Sequence, residues 1–164
     1  MDMQKLLLTF FNCGEVDSYP RFTTIAVAVA IAFGTIYLMG AETLSMLTLG
    51  AIVISIFEIN KYQERVEEES RYRITIDTAI GIWIAILVSY NNLEHISYPY
   101  ALQTYILFIV VSYYLIESWK PSTIGWIYDN FKGGSGIIGS SSLAGFASGF
   151  LTIVILYTVN SLIG

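Results

Sequence analysis

The sequence predicts an all-α integral membrane bundle of about five hydrophobic helices, preceded by a short amphipathic helix. Three observations predict it. Of the 164 residues, 55% are hydrophobic and only 13% charged, about half the charge of an ordinary soluble domain. Mean hydropathy is +0.63, so lipid in place of water over part of the surface accounts for the missing solvated face. The apolar residues gather into long stretches without strand-like alternation, and the basic residues fall on alternate connections between them.

Taken in order, the N-terminal MQKLLLTFFNCGE has one lysine and no small-residue cleavage site. It reads as an amphipathic helix on or in the protein, not a removed signal. Cys13 is the only cysteine, which excludes a disulfide framework or zinc site and leaves an inert buried thiol. The stretches Thr24–Met39, Thr43–Ile59, Ile74–Tyr90 and Ala101–Ile116 hold 16 or 17 residues each. That is slightly short of the ~20 a spanning helix prefers, a deficit that bilayer thinning and snorkelling flanks accommodate. Leu143–Ile163 completes the five. SYPYALQTY and VVSYYLIESW place tyrosines and a tryptophan around the fourth stretch as interfacial anchors. No repeat, low-complexity tract or linker divides the chain, so residues 1–164 read as one domain.

If the helices alternate in direction, all eight basic residues lie on one side: Lys5, Arg21, Lys61, Arg65, Arg71, Arg73, Lys120 and Lys132. The positive-inside rule makes that side the cytoplasm. The expectation is a bacterial inner-membrane protein with its N-terminus and basic loops cytoplasmic. A net charge of −5 offers no basic face for nucleic acid.

The stretch KGGSGIIGSSSLAG, Lys132 to Gly145, raises the question of function. Its GSGIIG matches a dinucleotide-binding GxGxxG literally, but no strand precedes it and no acid follows to hold a ribose. GFASG, Gly145–Gly149, is a small-residue spacing that permits close helix approach. The mixed-charge VEEESRYR reads as a solvated loop. Asp77 lies one turn into an apolar helix, where a carboxylate has a partner or a task, although the helix N-terminus offsets part of its cost. His95 stands alone in a loop. Lys120 and Lys132 are placed to meet a phosphorylated headgroup, and Pro121 ends the fourth helix.

Together, MQKLLLTFFNCG, ISIFEINKYQ, TIDTAIGIWIAIL and ESWKPSTIGWIYDNFKGGSGIIGSSSLAGFASG resemble the phosphatidylglycerophosphatase A family, in the form found in Campylobacterota. The resemblance implies magnesium-dependent removal of the terminal phosphate of phosphatidylglycerophosphate. It implies Asp77 and Glu117 as metal ligands if the chain is active, and Lys120, Lys132, Gly133 and Gly134 as phosphate-binding. It also shows departures. YPRFT replaces an APGT-type turn, and Glu69-Ser70-Arg71 a His-Asp-Asp stretch. Thr78 stands for a Glu, Tyr114 for an Arg, Glu117 for an Asp, and Ser140-Ser141 for paired aspartates. Neutral hydroxyls do not replace two carboxylates around a hard dication. The expectation is a degenerate family member that binds phospholipid headgroups or serves as a subunit for a membrane partner or a second copy. An active magnesium phosphatase and an unrelated structural subunit are the alternatives.

Overall fold

The computed structural model describes residues 3–15, 19–64, 74–95 and 100–163. They form seven α-helices and, among the described residues, no strand. The helices are α1 (Met3–Leu8), α2 (Pro20–Met39), α3 (Ala41–Gln63), α4 (Ile76–Ser89), α5 (Ala101–Trp119), α6 (Ser122–Asn130) and α7 (Gly134–Ile163), with 3-10 turns at Cys13–Glu15 and Tyr90–His95. Five of them, α2, α3, α4 with its 3-10 extension, α5 and α7, are long and apolar enough to cross a membrane. The all-α membrane bundle read from the sequence is the fold observed.

Except for α4, which lies within Ile74–Tyr90, the helices outrun the apolar stretches that announce them. Extending a formed helix costs little once its first turn exists, so backbone pairing continues past the last apolar residue. α2 starts at Pro20, whose ring presets the first helical φ, and α3 continues to Gln63. Only Gly40 separates α2 from α3; its φ of +90° belongs to glycine. α5 stops at Lys120, which turns left-handed (φ 43°) ahead of Pro121. The segment 117–142, which connects the fourth and fifth apolar stretches, holds the end of α5, all of α6 and the first turns of α7. The glycine-rich GSGIIG is therefore helical and not a loop.

The centre of the bundle is α4, most of which is buried, while the other four long helices bury a third of their length or less. The Trp83 indole N–H donates to the Ala28 carbonyl at 2.9 Å, tying α4 to α2. Phe10, beyond α1, packs edge-on against Trp83 at 5.8 Å, and the Thr75 N–H donates to the Leu8 carbonyl at 3.0 Å. The N-terminal segment is thus docked into the core.

Against α7, contact follows one register. The Ser141 hydroxyl donates to Asp77 Oδ2 at 3.0 Å. One turn on, a Cβ at Gly145 would overlap the Gly81 carbonyl, and at Gly149 it would lie 2.9 Å from the Ala85 oxygen. Positions rise together on both helices, so α4 and α7 run parallel. α5 runs antiparallel to α4: the Tyr113 ring covers Gly81, and Tyr105 Oη meets Ser89 Oγ at 2.9 Å.

Most buried hydroxyls elsewhere are satisfied within their own helices, Ser55 Oγ and Thr75 Oγ1 being without a partner. Thr24, Thr48, Ser89, Ser148 and Thr152 each donate to a carbonyl three or four residues earlier, the bond that lets a hydroxyl sit in an apolar helix. Outward, Tyr37, Leu38, Met46, Phe57, Phe150 and Val154 are exposed, a lipid-facing surface.

This register sets the first prediction. Gly145→Leu has no room beside the Gly81 carbonyl, and overpacking of this kind costs about 1–3 kcal/mol. It should lower unfolding stability in detergent by about that amount. Gly34→Leu, at a helix position with open space around it, should stay within about 0.5 kcal/mol of the parent. Equal effects at the two positions would contradict the seam.

Candidate functional site

At one end of the bundle six side chains from four helices converge. Asp77 is the second residue of α4 and Arg21 the second of α2. Tyr113 and Glu117 are one turn apart near the end of α5, which Lys120 closes. Ser141 comes from α7, seven residues after its start at Gly134. The register described above brings them together: Asp77 and Gly81 share one face of α4, Tyr113 and Glu117 one face of α5, and Ser141 and Gly145 one face of α7.

The hydrogen-bond inventory of this cluster is incomplete. Asp77 Oδ2 accepts from Ser141 at 3.0 Å, but Asp77 Oδ1, Glu117 Oε2 and Tyr113 Oη are buried with no hydrogen-bond partner. Glu117 is 6% exposed and Tyr113 1%. Buried polar atoms normally find partners, and orphaning one costs about 1–3 kcal/mol. Among the described residues Ser55 Oγ, Gln63 Nε2 and Thr75 Oγ1 are also buried without a partner. Only here do three such atoms meet on charged and phenolic groups, which makes this end of the bundle the candidate site. Arg21 and Lys120 stand at the rim, within electrostatic reach of both carboxyls. The Lys120 ammonium also rests on the Tyr128 ring, 3.2 Å from its centroid, a cation–π contact.

Of the residues singled out in the sequence, Asp77, Glu117, Lys120 and Ser141 are brought together. Ser140 is buried beside them but turns its hydroxyl to the Ile137 carbonyl at 2.9 Å. Thr78 is buried on α4. Lys132, Gly133 and Gly134 stand apart, about 10 Å along α7 from Ser141 at 1.5 Å per residue. Lys132 is exposed. The Gly134 N–H donates to Asn60 Oδ1 at 2.7 Å, so Asn60 of α3 caps α7. Gly133 has φ +76°, and a Cβ on Gly134 would run into the Ile56 carbonyl. Both glycines let the start of α7 lie directly on α3. Glu67, Glu68 and Glu69-Ser70-Arg71 fall outside the described residues, as does the side chain of His95.

Arg21, Tyr113 and Asn60 escaped the sequence reading. Arg21 had a signal, being the sole charge between Tyr19 and Ala41, and so did Tyr113, one turn before a buried acid. Asn60 had none, because its partner is 74 residues away. Among the described residues no three of His, Cys, Asp and Glu gather as a metal-holding group. A cavity of about 390 Å³ between α1, α3 and α4, lined by Leu6, Phe10, Leu47, Ile54 and Trp83 among others, is apolar and separate from the cluster.

The family model of phosphatidylglycerophosphatase A matches residues 6–156. The chain belongs to the phosphatidylglycerophosphatase A family. All six residues of the cluster lie inside the matched span, and the match excludes the reading of an unrelated structural subunit. Searches of curated proteins and of solved structures returned no match. As a phosphatidylglycerophosphatase A member with five apolar helices, the chain is a membrane protein, and the family places it in phospholipid metabolism.

Removing the Asn60 cap leaves the Gly134 N–H without its partner. Asn60→Ala should cost about 1 kcal/mol of stability, whereas Asn60→Asp keeps an acceptor, and a favourable charge, at a helix start. Reversible unfolding in mixed micelles distinguishes the two; an equal loss in both would show that the cap is not the cause.

Proposed function

We propose that this chain binds phospholipid headgroups at the Asp77–Glu117 cluster without hydrolysing them, in the setting of phosphatidylglycerol metabolism, and serves there as a binding or partner subunit. The observation that carries this is the Ser141–Asp77 hydrogen bond. At the position where the family resemblance calls for an aspartate, the chain has a hydroxyl that donates to the remaining acid. Its neighbour Ser140 is committed to its own helix. Metal-dependent phosphate transfer needs carboxylates to hold the ion and an activated nucleophile. The described cluster holds two carboxyls, and both serine hydroxyls are already engaged.

The two orphaned carboxylate oxygens favour a second reading. Magnesium is commonly held by one or two carboxylates, with waters and substrate phosphate completing its shell. Asp77 Oδ1 and Glu117 Oε2 therefore fit a single ion as its protein ligands, and bound magnesium would neutralise charge on a phosphoryl group. In that reading Arg21 and Lys120 bind phosphoryl oxygens, as Lys132, Gly133 and Gly134 would further out. Phosphatidylglycerophosphate would then be a substrate.

One assay separates the readings: purified protein with magnesium and phosphatidylglycerophosphate, scored for released phosphate. The expected outcome is no release above a protein-free control. Turnover that Asp77→Asn abolishes would overturn the binding-only reading.

The expected orientation puts the N-terminus and the basic connections in the cytoplasm of a bacterial inner membrane. Asn91→Cys, in the exposed turn after α4, should react with an impermeant maleimide in intact cells whose outer membrane admits the reagent. Burial raises the Cys13 thiol above its ordinary value, keeping it protonated and the background low. Labelling only after lysis would reverse the orientation.

A further inference from the structure

The three unpartnered oxygens and the two rim cations are more specific than a generic headgroup site. Asp77 Oδ1, Glu117 Oε2 and Tyr113 Oη are all buried and all able to accept. A phenol oxygen accepts as well as donates, and a primary ammonium offers three donors. Two carboxylate acceptors and a hydroxyl that accepts as well as donates thus match the three N–H donors of a primary ammonium.

The charges are arranged in the same sense. The carboxyls lie inside, while Arg21 is exposed and Lys120 half-exposed at the rim. A ligand that satisfies both parts carries a cation at its tip and an anion behind it. Two acids and two bases sum to no net formal charge, so a net-neutral ligand enters without unbalancing the cluster. The ethanolamine headgroup has this order: the amine is terminal, and the phosphate lies between it and the glycerol that stays in the bilayer. A glycerol headgroup brings no positive charge, and choline brings charge but no N–H. A serine headgroup would add a carboxylate beside Asp77 and Glu117. The glycerol and choline headgroups leave the orphaned oxygens without a charged N–H donor, and the serine headgroup brings like charge to the two acids.

From this complementarity we infer that the cluster selects a zwitterionic aminophospholipid, with its primary ammonium held by Asp77, Glu117 and Tyr113 and its phosphate by Arg21 and Lys120. The inference rests on the headgroup-binding reading and narrows it to one lipid class. No bond is made or broken.

The test titrates the full-length, detergent-solubilised protein with short-chain phosphatidylethanolamine, phosphatidylcholine, phosphatidylglycerol and phosphatidylglycerophosphate, read by native mass spectrometry. Phosphatidylethanolamine should bind at least about tenfold tighter than phosphatidylcholine, since it alone of the two brings N–H donors to charged acceptors. Tyr113→Phe, which keeps the ring over Gly81, should reduce that preference several-fold without altering monodispersity. Arg21→Ala should weaken every phospholipid alike. Free phosphoethanolamine should compete if the headgroup alone carries recognition; failure to compete while the lipid binds would assign the affinity to the acyl chains and overturn the inference. Equal binding of the ethanolamine and choline lipids would overturn the amine preference and leave headgroup binding standing. Absence of binding by all four would remove both.

Discussion

The constraint on which the rest of this structure depends is the close parallel contact of α4 and α7. Helices in lipid gain nothing from hiding apolar surface from each other, so their association relies on packing and on the few polar contacts they share. Gly145 and Gly149 remove the side chains that would hold the backbones apart. That approach carries Ser141 to within hydrogen-bonding distance of Asp77. The same closeness on the other side of Gly81 makes room for the Tyr113 ring, and so aligns Glu117 one turn further along α5. The site is therefore a consequence of three glycines that take no part in it.

A second consequence concerns polarity. Most hydroxyls in the bundle are neutralised locally by carbonyls of their own helices, which makes them electrically quiet. The cluster at the end of α4 differs because its polar atoms reach across helices and are left over. An orphaned carboxylate oxygen in such a place is costly, and ionisable groups within membrane helices are accordingly the first candidates for a functional site. The contrast between Ser140, which bonds back to Ile137, and Ser141, which crosses to Asp77, shows how a one-residue difference in facing separates the two cases.

How much of this the sequence discloses depends on the range over which each cause acts. The helical class and the number of spans are local properties of apolar runs, and they read correctly. The helix limits do not: α7 starts nine residues before Leu143, because glycine's poor helix propensity is overridden there by packing on α3 and by the Asn60 cap. Gly133 and Gly134, which the family resemblance implies as phosphate-binding, also serve the backbone contact of α7 with α3, a use no local pattern discloses. Asp77 stood out as an acid in an apolar run. Its meeting with Glu117 and Lys120 was anticipated by the family resemblance, whereas Arg21 required knowing that α2 and α4 begin at the same end. The match over residues 6–156 bears out the family; the local consequence of Ser140 and Ser141 emerges only with the distances.

That consequence is an argument about charge. Acids crowded in a low-dielectric setting must take up protons, pair with bases or hold a cation. In a cluster of two acids and two bases each charge has an opposite within electrostatic reach. In the proposed reading, serines at 140 and 141 beside a retained Arg21 and Lys120 do more than subtract metal ligands. They would move the site from dependence on an ion to internal balance and leave hydrogen-bond donors wanting. A site so balanced would persist in the membrane without a metal and still have a definite ligand chemistry.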